Sequence, residues 1–127
     1  TEKGEGMSLN ELAQEIHLTA KKHGWWQKEV IPTPNGDISI EPNIPEKLAL
    51  IHSEVSEALE ESRIGTPLTS TFLGTDDKPI GFSSELADII IRVLDLAAYL
   101  SIDIDKAVAA KVAYNKYRPY RHGNKLE

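Results

Sequence analysis

Residues 85–100, with the sequence ELADIIIRVLDLAAYL, constrain the fold more than any other stretch of the chain. On a helix, nearly every direction of this stretch carries an apolar side chain, so we expect the helix to be buried on most of its circumference. The charged residues fall within an arc of about 80° and are Glu85, Asp88, Arg92 and Asp95. Charged groups on a buried helix must be paired or bind a cation. Two interpretations stay open here, namely a divalent cation site and a ladder of ion pairs from Arg92 to Asp88 and Asp95.

Two acidic pairs, Glu54-x-x-Glu57 and Glu85-x-x-Asp88, each place two carboxylates on one helix face, one turn apart. If the two helices pack antiparallel, the four groups face one another, and like charges that close do not stay ionised together without cations. Mg²⁺ prefers oxygen ligands and commonly bridges protein carboxylates to phosphates. The pattern therefore predicts that these residues hold Mg²⁺, with Mn²⁺ as a substitute.

Helical periodicity predicts an all-α fold of four helices joined by two long connections. Ser8 begins a capping box with Glu11, Ser83 or Ser84 is the expected N-cap of the third helix, and Asp103 that of the fourth. The helices are expected at about residues 8–23, 45–62, 85–100 and 103–117, and the connections at 25–43, with a short extended piece at 37–40, and at 65–83.

The length and the charge of the chain narrow the classes of function. The 127 residues have the size of one domain, and a net charge of −6 disfavours a nucleic-acid polymer or an anionic membrane as partner. No cysteine is present, which excludes thiolate zinc sites and a cysteine nucleophile. We expect a single domain over residues 7–127, with residues 1–6 a cloning remnant or a disordered tail before Met7. No signal peptide or membrane span is recognisable, and the expected location is cytoplasmic.

The last predicted helix carries a polar stripe of opposite charge. Lys111, Asn115 and Arg118 follow one another at i, i+4 and i+7, which places two cations and an amide on one face. Lys and Arg are the usual partners of phosphate oxygens. Cations near a helix C-terminus also stabilise the helix through its dipole, which is the structural alternative for Arg118. An acidic seam and a basic stripe together indicate a pocket for a metal-bound polyphosphate.

With these motifs the chain resembles the MazG-like, all-α nucleoside triphosphate pyrophosphohydrolases. Their pattern is Glu-x-x-Glu, a spacer, Glu-x-x-Asp, and a stripe of Lys, Asn and Arg on the last helix. The matching stretches are HGWWQ at 23–27, HSEVSEALEE at 52–61, SSELADIIIRVLDLA at 83–97 and KVAYNKYRPYRHGNK at 111–125.

The resemblance implies a four-helix MazG-like bundle that hydrolyses a nucleoside triphosphate to the monophosphate and pyrophosphate, commonly to clear unwanted nucleotides. It implies that Glu54, Glu57, Glu85 and Asp88 bind Mg²⁺ and that the basic stripe of residues 111, 115 and 118 contacts the triphosphate. Family members often carry a doubled Glu at the first pair, where this chain has Ser53. The number of metal ions therefore stays open, and Glu61 is a candidate substitute ligand.

The catalytic water and the nucleobase need further residues. Glu57 is our first candidate to orient or deprotonate the attacking water. Trp25 and Trp26 are candidates to stack on the base, the alternative being packing in a core or subunit interface. His52 lies at the edge of an apolar face and is expected to be a core residue rather than a ligand. The preferred base is not encoded in these motifs.

The apolar third helix also bears on assembly. Four helices with two long loops can hardly cover it on every side, so we expect a self-complementary helical interface in a homodimer or homotetramer. Two other functions remain open: an enzyme similar to the phosphoribosyl-ATP pyrophosphohydrolases, and a non-catalytic helical oligomer that binds nucleotides or another protein.

Overall fold

The structure, a computed structural model, describes residues 6–119 and contains four helices and two small antiparallel hairpins. A mainly helical fold is confirmed, but the expectation of an all-α chain is wrong because each long connection contains a hairpin. No helix within the described range combines the length and apolarity needed to cross a bilayer. The elements are α1 (Leu9–Lys22), β1 (Glu29–Thr33), β2 (Gly36–Ile40), α2 (Ile44–Arg63), β3 (Phe72–Leu73), a 3₁₀ turn (Thr75–Asp77), β4 (Pro79–Ile80), α3 (Phe82–Tyr99) and α4 (Ile104–Lys116).

The helix starts at α1 and α4 follow local sequence rules. Ser8 Oγ accepts a hydrogen bond from the Glu11 amide at 3.0 Å, and Glu11 Oε1 accepts one from the Ser8 amide at 2.9 Å, so the predicted capping box is present. Asp103 Oδ1 accepts from the Lys106 amide at the start of α4. Both predicted caps are therefore confirmed, since each depends only on residues within one turn.

The start of α3 differs from the prediction. The helix begins at Phe82 after Gly81, which has φ of 109° and provides no side-chain cap. Ser83 Oγ instead donates to the Leu68 carbonyl at 3.0 Å and fastens the preceding connection. A Cβ at residue 81 would lie 3.1 Å from Phe72 Cδ2, so glycine allows both the turn and the close approach. The predicted N-cap at Ser83 or Ser84 is wrong because a distant carbonyl binds the hydroxyl of Ser83.

The first long connection forms a hairpin of β1 and β2. Glu29 pairs with Ile40 and Ile31 with Ile38, and Gly36 has φ of 112° at the turn. The extended piece predicted at 37–40 is confirmed, whereas β1 was not predicted. In the second connection, Phe72 pairs with Ile80 to form the shorter hairpin of β3 and β4.

Helix α3 lies at the centre of the fold, where it packs against α1 on one side and α2 on another, while α4 packs mainly against α1. The core cluster of Ala13, Leu94 and Ala98 joins α1 to the C-terminal half of α3. One face of the N-terminal half of α3 is not covered, since Leu86 is 45% exposed and Ile90 is 54% exposed. The expectation that this helix is buried on most of its circumference is thus wrong for a single chain.

The N-termini of α1 and α4 are tied together by reciprocal hydrogen bonds. The Asp105 carboxylate accepts from the amides of Leu9 and Asn10, both at 3.0 Å. Asn10 Oδ1 in turn accepts from the Ile104 amide at 2.9 Å. Each helix thereby provides the other with acceptors for otherwise unpaired amides, which keeps α4 beside α1.

Candidate functional site

Three of the four predicted carboxylates meet where α2 packs against α3. Glu54, Glu85 and Asp88 each offer one carboxylate oxygen, and these oxygens all lie within 4.8 Å of one another. We refer to these three residues as the acidic cluster. Oxygen atoms at such separations can coordinate one hard divalent cation, which is the chemistry that Mg²⁺ prefers.

Two buried oxygens of the acidic cluster have no hydrogen-bond donor. Glu54 is only 8% exposed, and its Oε1 accepts from Arg92 Nε at 3.0 Å. Glu54 Oε2 and Glu85 Oε2 are buried and have no hydrogen-bond partner among residues 6–119. A buried acceptor left unpaired costs about 1–3 kcal/mol, and more when it is charged. Asp88 is exposed, so the cluster borders solvent on the side of this residue.

The crowding of negative charge changes the proton affinity of the cluster. Burial raises the pKa of Glu85 to about 7, with further contributions from the negative charges of Glu57, Asp88 and Glu54. Burial and the charge of Glu54 also raise the pKa of Asp88, against the opposing charges of Arg92 and Lys78. Because folded Glu85 holds its proton more tightly than the unfolded chain does, the metal-free fold loses stability as pH rises through about 7.

The raised pKa of Glu85 predicts that cation binding releases protons. With a pKa of about 7, roughly half of the Glu85 side chains are protonated at neutral pH, and a cation binds only the ionised form. Mg²⁺ binding at neutral pH should therefore release about half a proton, and affinity should rise as pH increases through about 7. Calorimetric titrations in two buffers of different ionisation enthalpy measure this release. Glu85→Gln should abolish the buffer dependence, and identical heats for the parent protein would contradict the raised pKa.

The remaining acidic residues on α2 lie at the margin or outside the acidic cluster. Glu57 is exposed and comes close enough to Glu85 to raise its pKa, but it is not among the three converging residues. Glu61, the candidate substitute ligand, is also not part of this group within residues 6–119. The predicted four-residue set is thus three residues with Glu57 at its edge.

The charged stripe of α3 does not form the ion-pair ladder that was one interpretation of the sequence. Arg92 bonds to Glu54 on α2. Asp95 Oδ1 lies 2.7 Å from His17 Nδ1 on α1, and both Asp95 oxygens accept from Trp26 Nε1 at 3.0 Å. Sequence reasoning missed His17, although a half-buried Asp95 required a partner and His17 follows the buried Ala13 by one helical turn.

The two tryptophans have different environments. Trp26 is 9% exposed and stacks on Tyr99 with ring centres 4.0 Å apart. Lys47 Nζ lies 4.4 Å from the centre of the same indole, so its faces are occupied. Trp26 therefore packs in the core in this structure, and its role in base stacking stays a prediction. Trp25 is 47% exposed, and the Arg92 guanidinium lies 4.8 Å from its ring centre. His52, expected in the core, is exposed.

A cavity of about 390 Å³ lies between α1 and α3 beside the acidic cluster. Asp88 and Arg92 border it on the side of the cluster, and Trp25 borders it as the aromatic wall. Its volume is in the range of small-molecule sites. The apolar part of the lining comes from Leu12, Ile16, Ala20 and Ile91.

The basic stripe of α4 is not brought to the acidic cluster. Lys111 and Arg118 lie near the Tyr114 ring, at 5.6 and 5.4 Å from its centre. None of the three residues Lys111, Asn115 and Arg118 lines the cavity that Asp88 borders. The combined pocket expected from sequence is therefore not formed within the described part of one chain, because α4 packs mainly on α1. The part of the matching stretch beyond Pro119 lies outside the described residues.

Comparisons with models of protein families, with curated proteins and with solved structures found no match. The functional interpretation therefore depends on the residues and geometry described above.

Proposed function

We propose that this protein is a MazG-like nucleoside triphosphate pyrophosphohydrolase that depends on Mg²⁺, with Mn²⁺ as a substitute. The observation that supports it most is the pair of buried, unpartnered oxygens on Glu54 and Glu85 beside the open carboxylate of Asp88. The order and spacing of Glu54, Glu57, Glu85 and Asp88 along the chain resemble the motif of that family. The products would be the nucleoside monophosphate and pyrophosphate, and the role a cytoplasmic one of removing unwanted nucleotides.

The acidic residues have two different tasks in this proposal. Glu54, Glu85 and Asp88 hold the cation, which when bound neutralises phosphate charge and makes a coordinated water more acidic. Glu57 is exposed at the edge of the acidic cluster and is free to orient or deprotonate the attacking water. Burial, together with the charges of the neighbouring carboxylates, raises the pKa of Glu85 to about 7, which is consistent with a site that gains from a bound cation.

The cavity beside Trp25 is the proposed site for the base. An exposed indole next to an apolar cavity offers a stacking surface, and base–aromatic stacking contributes about 1–3 kcal/mol with little discrimination among bases. The site lies beside Asp88 and Arg92, so a bound nucleotide would have its phosphates near the acidic cluster.

Trp25→Ala should therefore raise the KM of the preferred triphosphate by about 10-fold and lower kcat much less. Stacking acts equally on the bound substrate and the transition state, which is why the effect is expected in KM. Steady-state kinetics of pyrophosphate release measure both constants. Trp25→Phe is the matched control, since it keeps an aromatic face and should stay near the parental KM. An unchanged KM for Trp25→Ala would remove Trp25 from the site.

A second copy of the chain is part of the proposal. Leu86 and Ile90 lie on the central helix α3 and are nevertheless 45% and 54% exposed. An apolar surface of this kind on a central helix is typical of an interface. A standard interface covers about 800 Å² per partner. We therefore propose a homodimer or homotetramer, in which the α4 cations of one copy could reach the phosphates bound by another.

The test of the proposed function is a screen for pyrophosphate release. Canonical, deoxy and modified nucleoside triphosphates, together with phosphoribosyl-ATP, are incubated with the protein with and without Mg²⁺. We expect Mg²⁺-dependent release from at least one nucleoside triphosphate. Release from phosphoribosyl-ATP alone would favour an enzyme similar to the phosphoribosyl-ATP pyrophosphohydrolases. Absence of release from every compound would favour a non-catalytic helical oligomer.

A further inference from the structure

Arg92 places a guanidinium between the acidic cluster and the cavity beside Trp25. Its Nε donates to Glu54 Oε1 at 3.0 Å, and its guanidinium carbon lies 4.8 Å from the centre of the Trp25 ring. The Arg92 side chain keeps 27% of its surface exposed, and it borders the cavity between α1 and α3. Arg92 therefore touches the cation-binding part and the base-binding part of the proposed site at the same time.

The ion pair leaves binding capacity on both partners. Glu54 Oε2 has no donor although the residue is only 8% exposed. Within residues 6–119, the bond from Nε is the only hydrogen bond that Arg92 makes, so its two terminal amino groups remain available. A guanidinium carries five N–H donors in a planar fork that matches phosphate oxygens. Arg92 can therefore exchange its carboxylate partner for a phosphate.

The guanidinium also opposes the binding of a second cation. Its positive charge lies against the same carboxylate that a divalent ion would use, and the burial of Glu54 leaves little water to screen the two. Positive charges that share one buried carboxylate repel each other much more strongly than they would in bulk water. Arg92 should therefore weaken the affinity of the acidic cluster for a metal ion that arrives alone.

We propose that Arg92 makes metal binding at the acidic cluster depend on the presence of substrate. The inference rests on the proposed function, and it adds an order of binding to it. Without substrate, Arg92 holds Glu54 and a divalent ion binds weakly. When a polyphosphate enters, its oxygens take over the guanidinium, and Glu54 becomes free to bind the metal ion that accompanies the phosphates. Arg92 is thus both a competitor of the bare metal ion and a ligand of the metal-bound substrate.

Direct Mn²⁺ binding in the absence of phosphates tests the first half of the proposal. Arg92→Gln removes the positive charge and should bind Mn²⁺ about 10-fold more tightly than the parent protein in calorimetric titrations. Arg92→Lys keeps the charge and should stay within about threefold of the parent. Arg63→Gln is the matched control, because it removes an arginine at the exposed end of α2 whose only ion pair in the described part of the chain is with Glu60 at 3.9 Å. It should leave the affinity unchanged.

Titration with a preformed complex of Mn²⁺ and inorganic tripolyphosphate tests the second half. With this complex the relative affinities of the two proteins should reverse, and the parent should bind the complex about 10-fold more tightly than Arg92→Gln. Circular dichroism establishes that each variant is folded. Asp88→Asn should abolish Mn²⁺ binding in the parent protein and in Arg92→Gln.

The outcomes separate the two proposals. If Mn²⁺ binding requires Asp88 but is no tighter in Arg92→Gln, or if the order does not reverse with the complex, the substrate-dependent metal site is wrong while the acidic cluster still holds a metal. If neither protein binds Mn²⁺ at millimolar concentration, either alone or as the tripolyphosphate complex, the acidic cluster is not a metal site, and both the proposed function and the role of Arg92 are wrong.

Discussion

Asp88→Asn should reduce pyrophosphate release by about 10³-fold or more. Asp88 is the exposed member of the acidic cluster, so its loss leaves a cation with only the carboxylates of buried Glu54 and half-buried Glu85. The fold should persist, because burial and the nearby charge of Glu54 already raise the pKa of Asp88, and a neutral amide avoids both the cost of burying a charge and the repulsion. Initial rates at saturating Mg²⁺ measure the loss, and thermal unfolding measures the stability.

Asp37→Asn is the matched control for this change. It makes the same substitution at an exposed residue of β2, outside the acidic cluster, and should retain the parental rate. A rate for Asp88→Asn equal to that of the parent would show that the acidic cluster is not the metal site.

Ile90→Asp should weaken self-association by about 100-fold or more and lower the unfolding temperature. Leu86, Ile90 and Val93 follow one another at i, i+4 and i+7 on α3 and are 45%, 54% and 37% exposed. A contiguous apolar stripe of this kind on a central helix is typical of an interface. A buried carboxylate there would lack a partner and would cost several kcal/mol in the assembled protein. Sedimentation velocity at micromolar concentration measures the association.

Leu18→Asp tests whether the effect is specific to α3. Leu18 is 53% exposed, nearly the same as Ile90, but its helical neighbours Gln14, Glu15, Lys21 and Lys22 are polar or charged. The control should associate like the parent. A parent protein that sediments as a monomer would refute the proposed interface. Equal effects of both substitutions would show that the loss of association is not specific to the apolar stripe of α3.

The predictions from sequence were accurate where the interactions that begin a helix lie within one helical turn. Ser8 and Glu11 cap each other, and Asp103 caps the amide three residues later, so these helix starts could be identified without knowing the fold. The N-cap of α3 could not, because the Ser83 hydroxyl bonds to Leu68 fifteen residues away. The hairpin of β1 and β2 was only half predicted, since Pro32 weakens the strand signal of residues 29–33.

In the candidate site, too, the features set within one helix were predicted and the contacts between helices were not. The spacing of Glu54 and Glu57, and of Glu85 and Asp88, placed each pair on one helix face, and packing of α2 on α3 brought three of the four together. Sequence spacing did not reveal that Arg92 bonds to Glu54 across that packing, or that Trp26 stacks on Tyr99 while Trp25 stays exposed. Adjacent tryptophans have the same local sequence signal, and only their surroundings distinguish them.

The sequence by itself therefore determined the four helices, most of their ends and the two pairs of carboxylates on their faces, because periodicity, capping and i, i+3 spacing act within a single element. The tertiary structure decided which groups meet. It paired Asp95 with His17, placed Arg92 on Glu54 and kept α4 away from the acidic cluster. The physical reason is that burial and charge pairing depend on contacts between residues far apart in the chain, and helix packing alone determines those contacts.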